Sequence, residues 1–341
     1  MKARYQWLAG ATLIAFLAGL SLFQNDWRQV PPRALAAFAP ELDSSTSEPL
    51  SPLPVALQLD TRKVALGERL FHETRLSKDG TIACASCHNL KTGGVDRMPR
   101  SKGVGGQLGG INAPTVFNSG FNYRQFWDGR ARTLEDQVDG PLQHPLEMAG
   151  TWHQALDLLE SDPHYRAEFD ALYRDGITPA SVKDAIATFE RSLFTPNSRF
   201  DLFLRGNTAA MSDFELSGYR LFKQIGCTSC HQGVNIGGNM VQKLGIIENY
   251  FAGRSDLTEA DQGRFNITRQ EEDRYVFRVP SLRNVAVTAP YLHDASAPTL
   301  EEAVRIMARY QLGLDLGTAD IARITAFLGT LTGEYKGGLL Q

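Results

Sequence analysis

Two short motifs each place a pair of cysteines and a histidine within five residues. Residues 84–88 read CASCH, residues 227–231 read CTSCH, and together they contain all four cysteines of the chain. The paired thiols can form thioethers with the vinyl groups of a haem, and the adjacent imidazole can bind its iron. The sequence therefore predicts two covalently bound c-type haems. Their predicted attachment residues are Cys84, Cys87, His88, Cys227, Cys230 and His231.

Other chemistry is known for closely spaced cysteines. A zinc site shared between the two motifs would leave both histidines without a role. A redox dithiol of the thioredoxin type requires a neighbouring strand and helix, which the surrounding sequence does not indicate. Since no cysteine lies outside the two motifs, a disulfide framework is not expected.

Composition and charge limit the remaining functions. The chain has 341 residues, of which 43% are hydrophobic and 21% charged, enough for a sizeable core and for two domains of ordinary size. Its formal net charge is -3, and it contains no run rich in lysine or arginine. A nucleic-acid partner is therefore not expected.

The N-terminal segment predicts export from the cytoplasm. Lys2 and Arg4 precede an uncharged apolar run at about residues 7–23, so residues 1–27 fit both a signal peptide and an uncleaved membrane anchor. Either segment would place the rest of the chain in the periplasm, where bacterial c-type haems are attached. Residues 28–60 are rich in proline and serine and predict a flexible linker.

Beyond the linker, apolar residues recur with the period of an α-helix, and no hairpin signal of comparable strength appears. Pro163 and Pro179 stand at first helical positions, each behind a residue that can cap a helix. The fold class predicted is mostly α. The predicted helices cover residues 62–73, 152–161, 163–174, 179–194, 212–223, 299–311 and 318–332.

The two halves of the chain repeat each other outside the cysteine motifs. GERLF precedes the first motif and GYRLF precedes the second. Residues 112–141 also align without a gap to residues 278–307, which pairs Pro114 with Pro280 and Asn118 with Asn284. This repeat predicts two homologous haem domains, residues 61–206 and 207–341.

The second axial position of each iron decides whether a haem carries electrons or reacts. In the second domain Met307 could bind opposite His231 and give a haem of raised potential, although most helical methionines are core residues. The matching residue of the first domain is Pro141, which cannot bind iron. The first haem is therefore expected to have an open face.

Several motifs together resemble the bacterial dihaem cytochrome c peroxidases and their relative that matures methylamine dehydrogenase. Besides the two cysteine motifs these are NAPTVFN, FWDGRA, GPLQHPLEM, VPSLRNV and YLHDASAPTLEEAV, spread in the family's order over about residues 60–335. The resemblance implies two cytochrome c-like haem domains with long loops, and a calcium ion near their interface.

The resemblance also implies roles for individual residues. His88 is the axial ligand of the peroxide-reacting haem, and His231 and Met307 are the axial ligands of the high-potential haem. The distal side of the first haem carries Gln137, Glu147 and Phe126, Trp127 lies between the haems, and the calcium ligands are Asn112, Thr288 and Pro290.

These roles agree with the chemistry of the side chains. A carboxyl group such as that of Glu147 can move a proton between the two oxygens of hydrogen peroxide, and Gln137 can hold the peroxide without titrating. The resemblance implies a small soluble electron donor, a cytochrome c or a copper protein, and also pairing into a homodimer. Two functions stay as alternatives: oxidation of a partner protein, against which Met307 argues because that relative has a tyrosine there, and plain electron transfer.

One position departs from the family pattern. Many members carry a histidine in the loop after the first haem that caps the oxidised iron, and the matching residue here is Val104. Because valine cannot bind iron and the loop is rich in glycine, we expect a mobile loop and an enzyme that is active without prior reduction. Met98 and Gln107 are the alternative caps.

Overall fold

The computed structural model describes residues 48–341 of the chain. The predicted export segment at residues 1–27, and the first part of the predicted linker, lie outside the described residues. Among residues 48–341, no helix has the length and apolar character needed to cross a membrane.

The described chain is mostly helical, which confirms the predicted fold class. Each predicted helix is present with ends within three residues of the prediction. The α-helices are α1 Thr61–Phe71, α2 Cys84–Cys87, α3 Leu134–Gln143, α4 Trp152–Ser161, α5 Pro163–Leu172, α6 Pro179–Ser192, α7 Arg199–Leu204, α8 Asp213–Gln224, α9 Phe265–Thr268, α10 Leu300–Leu312 and α11 Thr318–Gly329.

Short 3₁₀ turns and two antiparallel strand pairs complete the described structure. Strand β1 Val241–Lys243 pairs with β2 Val276–Arg278, and β3 Glu334–Tyr335 pairs with β4 Gly338–Leu339. The second pair is a hairpin that the sequence did not predict. Its two turn residues, Lys336 and Gly337, both have positive φ, as a tight hairpin turn requires.

Helix α3 was also absent from the prediction, because Pro141 lies inside it and proline normally ends a helix. Pro141 stands in the last turn, where the loss of one backbone N–H affects little of the helix. The start of the helix did carry a signal, since the side chain of Thr133 accepts a hydrogen bond from the N–H of Asp136.

The repeated GERLF and GYRLF segments have the same role in packing. A Cβ atom at Gly67 of α1 would overlap the carbonyl oxygen of Ala185 on α6, and one at Gly218 of α8 would overlap that of Arg323 on α11. In both halves a glycine therefore lets the helix before the cysteine motif pack closely against a later helix.

Most buried apolar residues belong to clusters that follow the two halves. One cluster contains residues between Leu66 and Ile186, and another contains residues between Phe200 and Leu331 together with Leu50. The domain boundary at residues 206 and 207 stays a prediction.

The last part of the predicted linker, from residue 48, packs against the rest of the described chain, although its composition predicted a flexible segment. Leu50 and Leu53 are buried, and the N–H of Leu53 donates to Asp201 at 3.0 Å. Leu50 belongs to the apolar cluster of the second half.

Candidate active site

Each cysteine motif adjoins a cavity. The smaller of these two cavities lies next to the first motif and has a volume of about 50 Å³. Cys84, Cys87 and His88 line it, and so do Gln137 from α3 and Glu147 from the loop that follows α3. The fold thus brings both polar residues assigned to the peroxide pocket to the cavity that holds the first haem-attachment motif.

The imidazole of His88 is oriented as a metal ligand requires. Its Nδ1 lies 3.4 Å from the carbonyl oxygen of Gly94, and burial lowers the pKa of the ring, so the neutral form is favoured. A carbonyl that holds Nδ1–H fixes the tautomer in which Nε2 carries the free lone pair.

Glu147 is a partly buried acid with two basic side chains, His144 and Arg130, nearby. Its side chain is 40% exposed, and burial raises the pKa of its carboxyl group, while His144 and Arg130 oppose the shift. Nδ1 of His144 lies 3.6 Å from Oε1 of Glu147. A raised pKa brings the carboxyl group closer to the neutral range, where it can both accept and return a proton.

Phe126 lies beside this group without lining the cavity. Its ring packs against Gly140 of α3, one turn after Gln137, and the guanidinium of Arg130 lies 3.4 Å above the ring centroid. Phe126 has a φ of 66°, a conformation that is uncommon for an aromatic residue. Through this contact Phe126 packs against the helix that carries Gln137 and helps to hold it in place.

Sequence reasoning missed Glu190, which also lines the smaller cavity. Only 6% of this residue is exposed, and its Oε2 has no hydrogen-bond partner among the described residues. Burial raises the pKa of the carboxyl group to about 8. A signal was present, because Glu190 follows Val182 and Ile186 on the apolar face of α6 at helical spacing.

The larger cavity, of about 240 Å³, contains the second cysteine motif. Cys227, Cys230, His231 and Met307 all line it, so the proposed iron ligands of the second haem share one cavity. Nδ1 of His231 lies 3.3 Å from the carbonyl oxygen of Ile236, and burial lowers the pKa of the ring to about 4. The second histidine therefore repeats the orientation of the first.

Trp127 lines the larger cavity and is held by the first half of the chain. Its indole Nε1 donates to the carbonyl oxygen of Asn112 at 2.8 Å. The ring packs edge to face on His293, whose Nε2 lies 2.8 Å from Oδ1 of the buried Asp261. Because its polar atom is bonded and its ring is packed, Trp127 has a fixed orientation.

The three residues assigned to calcium also come together at this cavity. Asn112, Thr288 and Pro290 all line it, and the side-chain Nδ2 of Asn112 donates to the carbonyl oxygen of Met98 at 3.0 Å. The Asn112 side-chain oxygen and backbone oxygens nearby are ligands that suit calcium. The calcium ion stays a prediction.

The placement of the cysteines does not fit a shared zinc site, and their surroundings do not fit redox dithiols. The two motifs line different cavities, so their four sulfurs do not share a metal site. Burial raises the pKa of the thiols of Cys84 and Cys227 to about 12, whereas redox-active cysteines have a lowered thiol pKa. All four thiols are unpaired, and each pair adjoins a cavity beside a neutral, oriented imidazole, which fits a covalently bound haem.

The loop that lacks the capping histidine packs against the pocket through its backbone. Val104 is buried, and its N–H donates to the carbonyl oxygen of Glu147 at 2.8 Å. Neither Met98 nor Gln107 lines either of the two cavities, and both are exposed.

Comparison with known proteins identifies the family. Residues 61–209 match the family model described as di-haem cytochrome c peroxidase. The cytochrome c551 peroxidase of Nitrosomonas europaea is 43% identical over 300 residues, which cover 88% of each chain. The chain belongs to the di-haem cytochrome c peroxidase family.

Two further proteins show how far this similarity extends. Cytochrome c peroxidase Ccp of Escherichia coli (strain K12) is 48% identical over 290 residues, which cover 85% of this chain but 62% of that relative's length. A solved structure of a MauG-like protein associated with microbial copper homeostasis has a TM-score of 0.73 and 29% identity, covering 87% of this chain and 96% of that one. The two cavities thus belong to a di-haem peroxidase fold.

Proposed function

We propose that the protein is a periplasmic peroxidase that reduces hydrogen peroxide to water with electrons from a small cytochrome c or a copper protein. The observation that carries the proposal is that Gln137 and Glu147 line the same cavity as His88. Neither side chain is a usual ligand of haem iron, whereas both suit a bound peroxide. The assignment is consistent with the two relatives described above, both of which are cytochrome c peroxidases.

The reaction consumes two protons and two electrons for each hydrogen peroxide and yields two water molecules. A haem held by Cys84, Cys87 and His88 would supply the iron that binds peroxide and exchanges electrons. The side chains around the cavity would orient the peroxide and move a proton between the two peroxide oxygens.

Glu147 is suited to the proton transfer. Its carboxylate accepts the proton from one peroxide oxygen and donates it to the other oxygen, which then leaves as water when the O–O bond breaks. The raised pKa of this carboxyl group favours return of the proton at neutral pH. Gln137 donates a hydrogen bond to the peroxide through its amide, which holds the substrate in the same orientation in every protonation state of Glu147.

In this proposal, the haem site in the larger cavity supplies electrons to the first haem. His231 and Met307 would hold the iron of the second haem, and this haem would supply a site that stores an electron. Trp127, fixed by its bonds to the first half, is the residue that we assign to electron relay between the two cavities. Two electron sites meet the two-electron requirement of the reaction.

The position of Val104 supports an enzyme that is active in the fully oxidised state. Val104 has no ligand atom, and its N–H is engaged by the Glu147 carbonyl oxygen. The first haem would then be able to react with peroxide without a prior reduction step.

Several finer features remain part of the proposal. A calcium ion held by Asn112, Thr288 and Pro290 would fix the segments around Trp127, and its content can be measured by elemental analysis of the purified protein. The periplasmic location and the membrane anchor rest on residues 1–27, and fractionation of cells tests both. The two-domain organisation and a homodimer rest on the internal repeat and on the resemblance, and the mass of the protein in solution tests the dimer.

The central experiment measures peroxide turnover by the fully oxidised, haem-loaded protein and by a Glu147→Gln variant. The wild-type protein is expected to react with the first equivalent of peroxide without prior reduction. The variant should retain both haems and lose at least a factor of 100 in kcat, since a positioned proton-transfer group contributes about 10² to 10⁴.

A Glu160→Gln variant is the matched control, because Glu160 is an exposed residue at the end of α4 and lines neither cavity. It should turn over like the wild type. Full turnover by the Glu147 variant would remove that residue from the mechanism, and a wild-type protein with two haems that is inert to peroxide would refute the proposed function.

A further inference from the structure

A buried arginine of strand β2 faces the larger cavity. Only 4% of Arg278 is exposed, and its side chain lines the cavity together with Cys227, Cys230 and His231. Its backbone N–H donates to the carbonyl oxygen of Trp127 at 2.7 Å, and its Nε donates to that of Phe126 at 3.3 Å. Arg278 is therefore bound on one side to the segment that carries the electron-relay tryptophan.

The charge of Arg278 has no counter-ion within residues 48–341. No carboxylate of these residues lies within 4.0 Å of its guanidinium, and the two terminal nitrogens make no hydrogen bond to them. Burial lowers the pKa of Arg278 to about 10, so the side chain still carries its charge at neutral pH. A buried charge without a partner is strongly unfavourable in general.

Arg283, five residues later, shows how this fold treats a buried arginine that has a structural role. Arg283 is 1% exposed, and its Nη1 lies 2.7 Å from Oδ1 of the buried Asp201. Its Nε and Nη2 donate to the carbonyl oxygens of Val234 and Ser51 at 3.0 and 2.9 Å. The contrast indicates that the partner of Arg278 is not among the side chains of residues 48–341.

We propose that Arg278 binds a propionate carboxylate of the haem attached to Cys227 and Cys230, and that it thereby joins this haem to the Trp127 segment. A guanidinium pairs with a carboxylate through two parallel hydrogen bonds, and such charge-assisted pairs are strong. We assign the carboxylate to the second haem because Arg278 shares its cavity, whereas Cys84, Cys87 and His88 line the other one. The inference rests on the two haems of the proposed function but not on the substrate.

A fixed positive charge at its edge stabilises the reduced form of a haem, because reduction adds an electron. Replacing Arg278 by Gln should shift the second haem toward its oxidised form at a given potential, by about tenfold in the ratio of reduced to oxidised haem. The measurement is a redox titration of both haems, together with the resonance Raman bending band of the haem propionates. The first haem should keep its potential.

Arg309→Gln is the matched control. Arg309 lies two residues after Met307 on α10, but its side chain is 60% exposed and pairs with Glu248 on the surface. This variant should leave the potential of both haems and the propionate band unchanged.

Arg278→Lys keeps the test decisive if the Gln variant does not load haem. Lysine retains the charge and loses the two-pronged geometry, so the propionate band should shift while the potential changes less than in the Gln variant. An unchanged band in the Lys variant, or an unchanged potential in a folded two-haem Gln variant, would overturn the proposal. A shift of the first haem alone would overturn the assignment to the second haem.

These readouts do not depend on peroxide turnover. If the wild-type protein holds two haems and fails to reduce peroxide, the proposed function is refuted, while the redox and Raman results still decide the role of Arg278.

Discussion

At the scale of the single residue, Glu190 is a buried acid whose titration should govern the pH dependence of stability. Its pKa of about 8 in the folded protein lies above the ordinary value of 4.5. The folded state therefore holds a proton between these pH values that the unfolded state has lost, and the free energy of unfolding falls as pH rises through this window. A Glu190→Gln variant should lose this contribution, and at pH 9 it should be more stable than the wild type by roughly 2–5 kcal/mol.

Chemical unfolding of the haem-loaded protein at pH 5 and pH 9 measures this effect. The exposed Glu160→Gln variant is the control and should follow the wild type at both pH values. If the Glu190 variant shows the same pH dependence as the wild type, the carboxyl group does not carry its proton into the neutral range.

At the scale of the element, the glycine of each repeated segment sets the distance between two helices. A Gly218→Ala substitution places a methyl group against the carbonyl oxygen of Arg323, so α8 and α11 would have to separate. Overpacking of this kind costs about 1–3 kcal/mol. We expect a lower midpoint in thermal unfolding with both haems still attached.

The control substitution lies on one of the same two helices. A Cβ at Gly329, in the last turn of α11, meets no atom within 4 Å, so Gly329→Ala should leave stability unchanged or raise it slightly. Equal effects of the two substitutions would show that helix propensity, and not the close approach, determines the result.

At the scale of the whole molecule, equivalent residues of the two repeated halves bind the same buried hydroxyl group, that of Thr195. Asn118 and Asn284, which the sequence alignment pairs, both have positive φ, and each donates its side-chain N–H to Oγ1 of Thr195. The distances are 2.9 Å and 3.0 Å. Thr195, which follows α6, thus links the equivalent loops of the two halves.

A Thr195→Val substitution removes this acceptor and leaves two buried amide groups without it. Since an unsatisfied buried donor costs about 1–3 kcal/mol, we expect a loss of roughly 2–5 kcal/mol in the free energy of unfolding, measured with urea. Thr188→Val is the control, because the Thr188 hydroxyl donates to the Asp184 carbonyl oxygen within α6, and it should lose less than about 1 kcal/mol. Similar losses for both variants would contradict the linking role of Thr195.

Much of this protein follows from local signals in its sequence. The helices are recognisable because apolar periodicity and capping residues act within a few positions, as the capping of α6 by Thr178 illustrates. The haem motifs are recognisable because two thiols and an imidazole must lie within five residues to bond one haem. The repeated glycines could be aligned in the sequence. Their packing role could not be predicted, because the atoms that they approach lie more than 100 residues away.

Only the tertiary structure showed which residues line each cavity, which are buried and which charged groups are paired. Only the folded chain places Gln137 and Glu147 at the cavity of His88, adds the buried Glu190 to it, and leaves Arg278 without a counter-ion among residues 48–341. It also packs Leu50 and Leu53 into the core, where composition indicated a linker. The physical reason is that burial, and with it the pKa and pairing of a charged group, depends on neighbours distant in sequence. The sequence by itself predicted most of the longer helices, the cofactor type and the residues expected to attach it, because each of these signals is complete within a few consecutive residues.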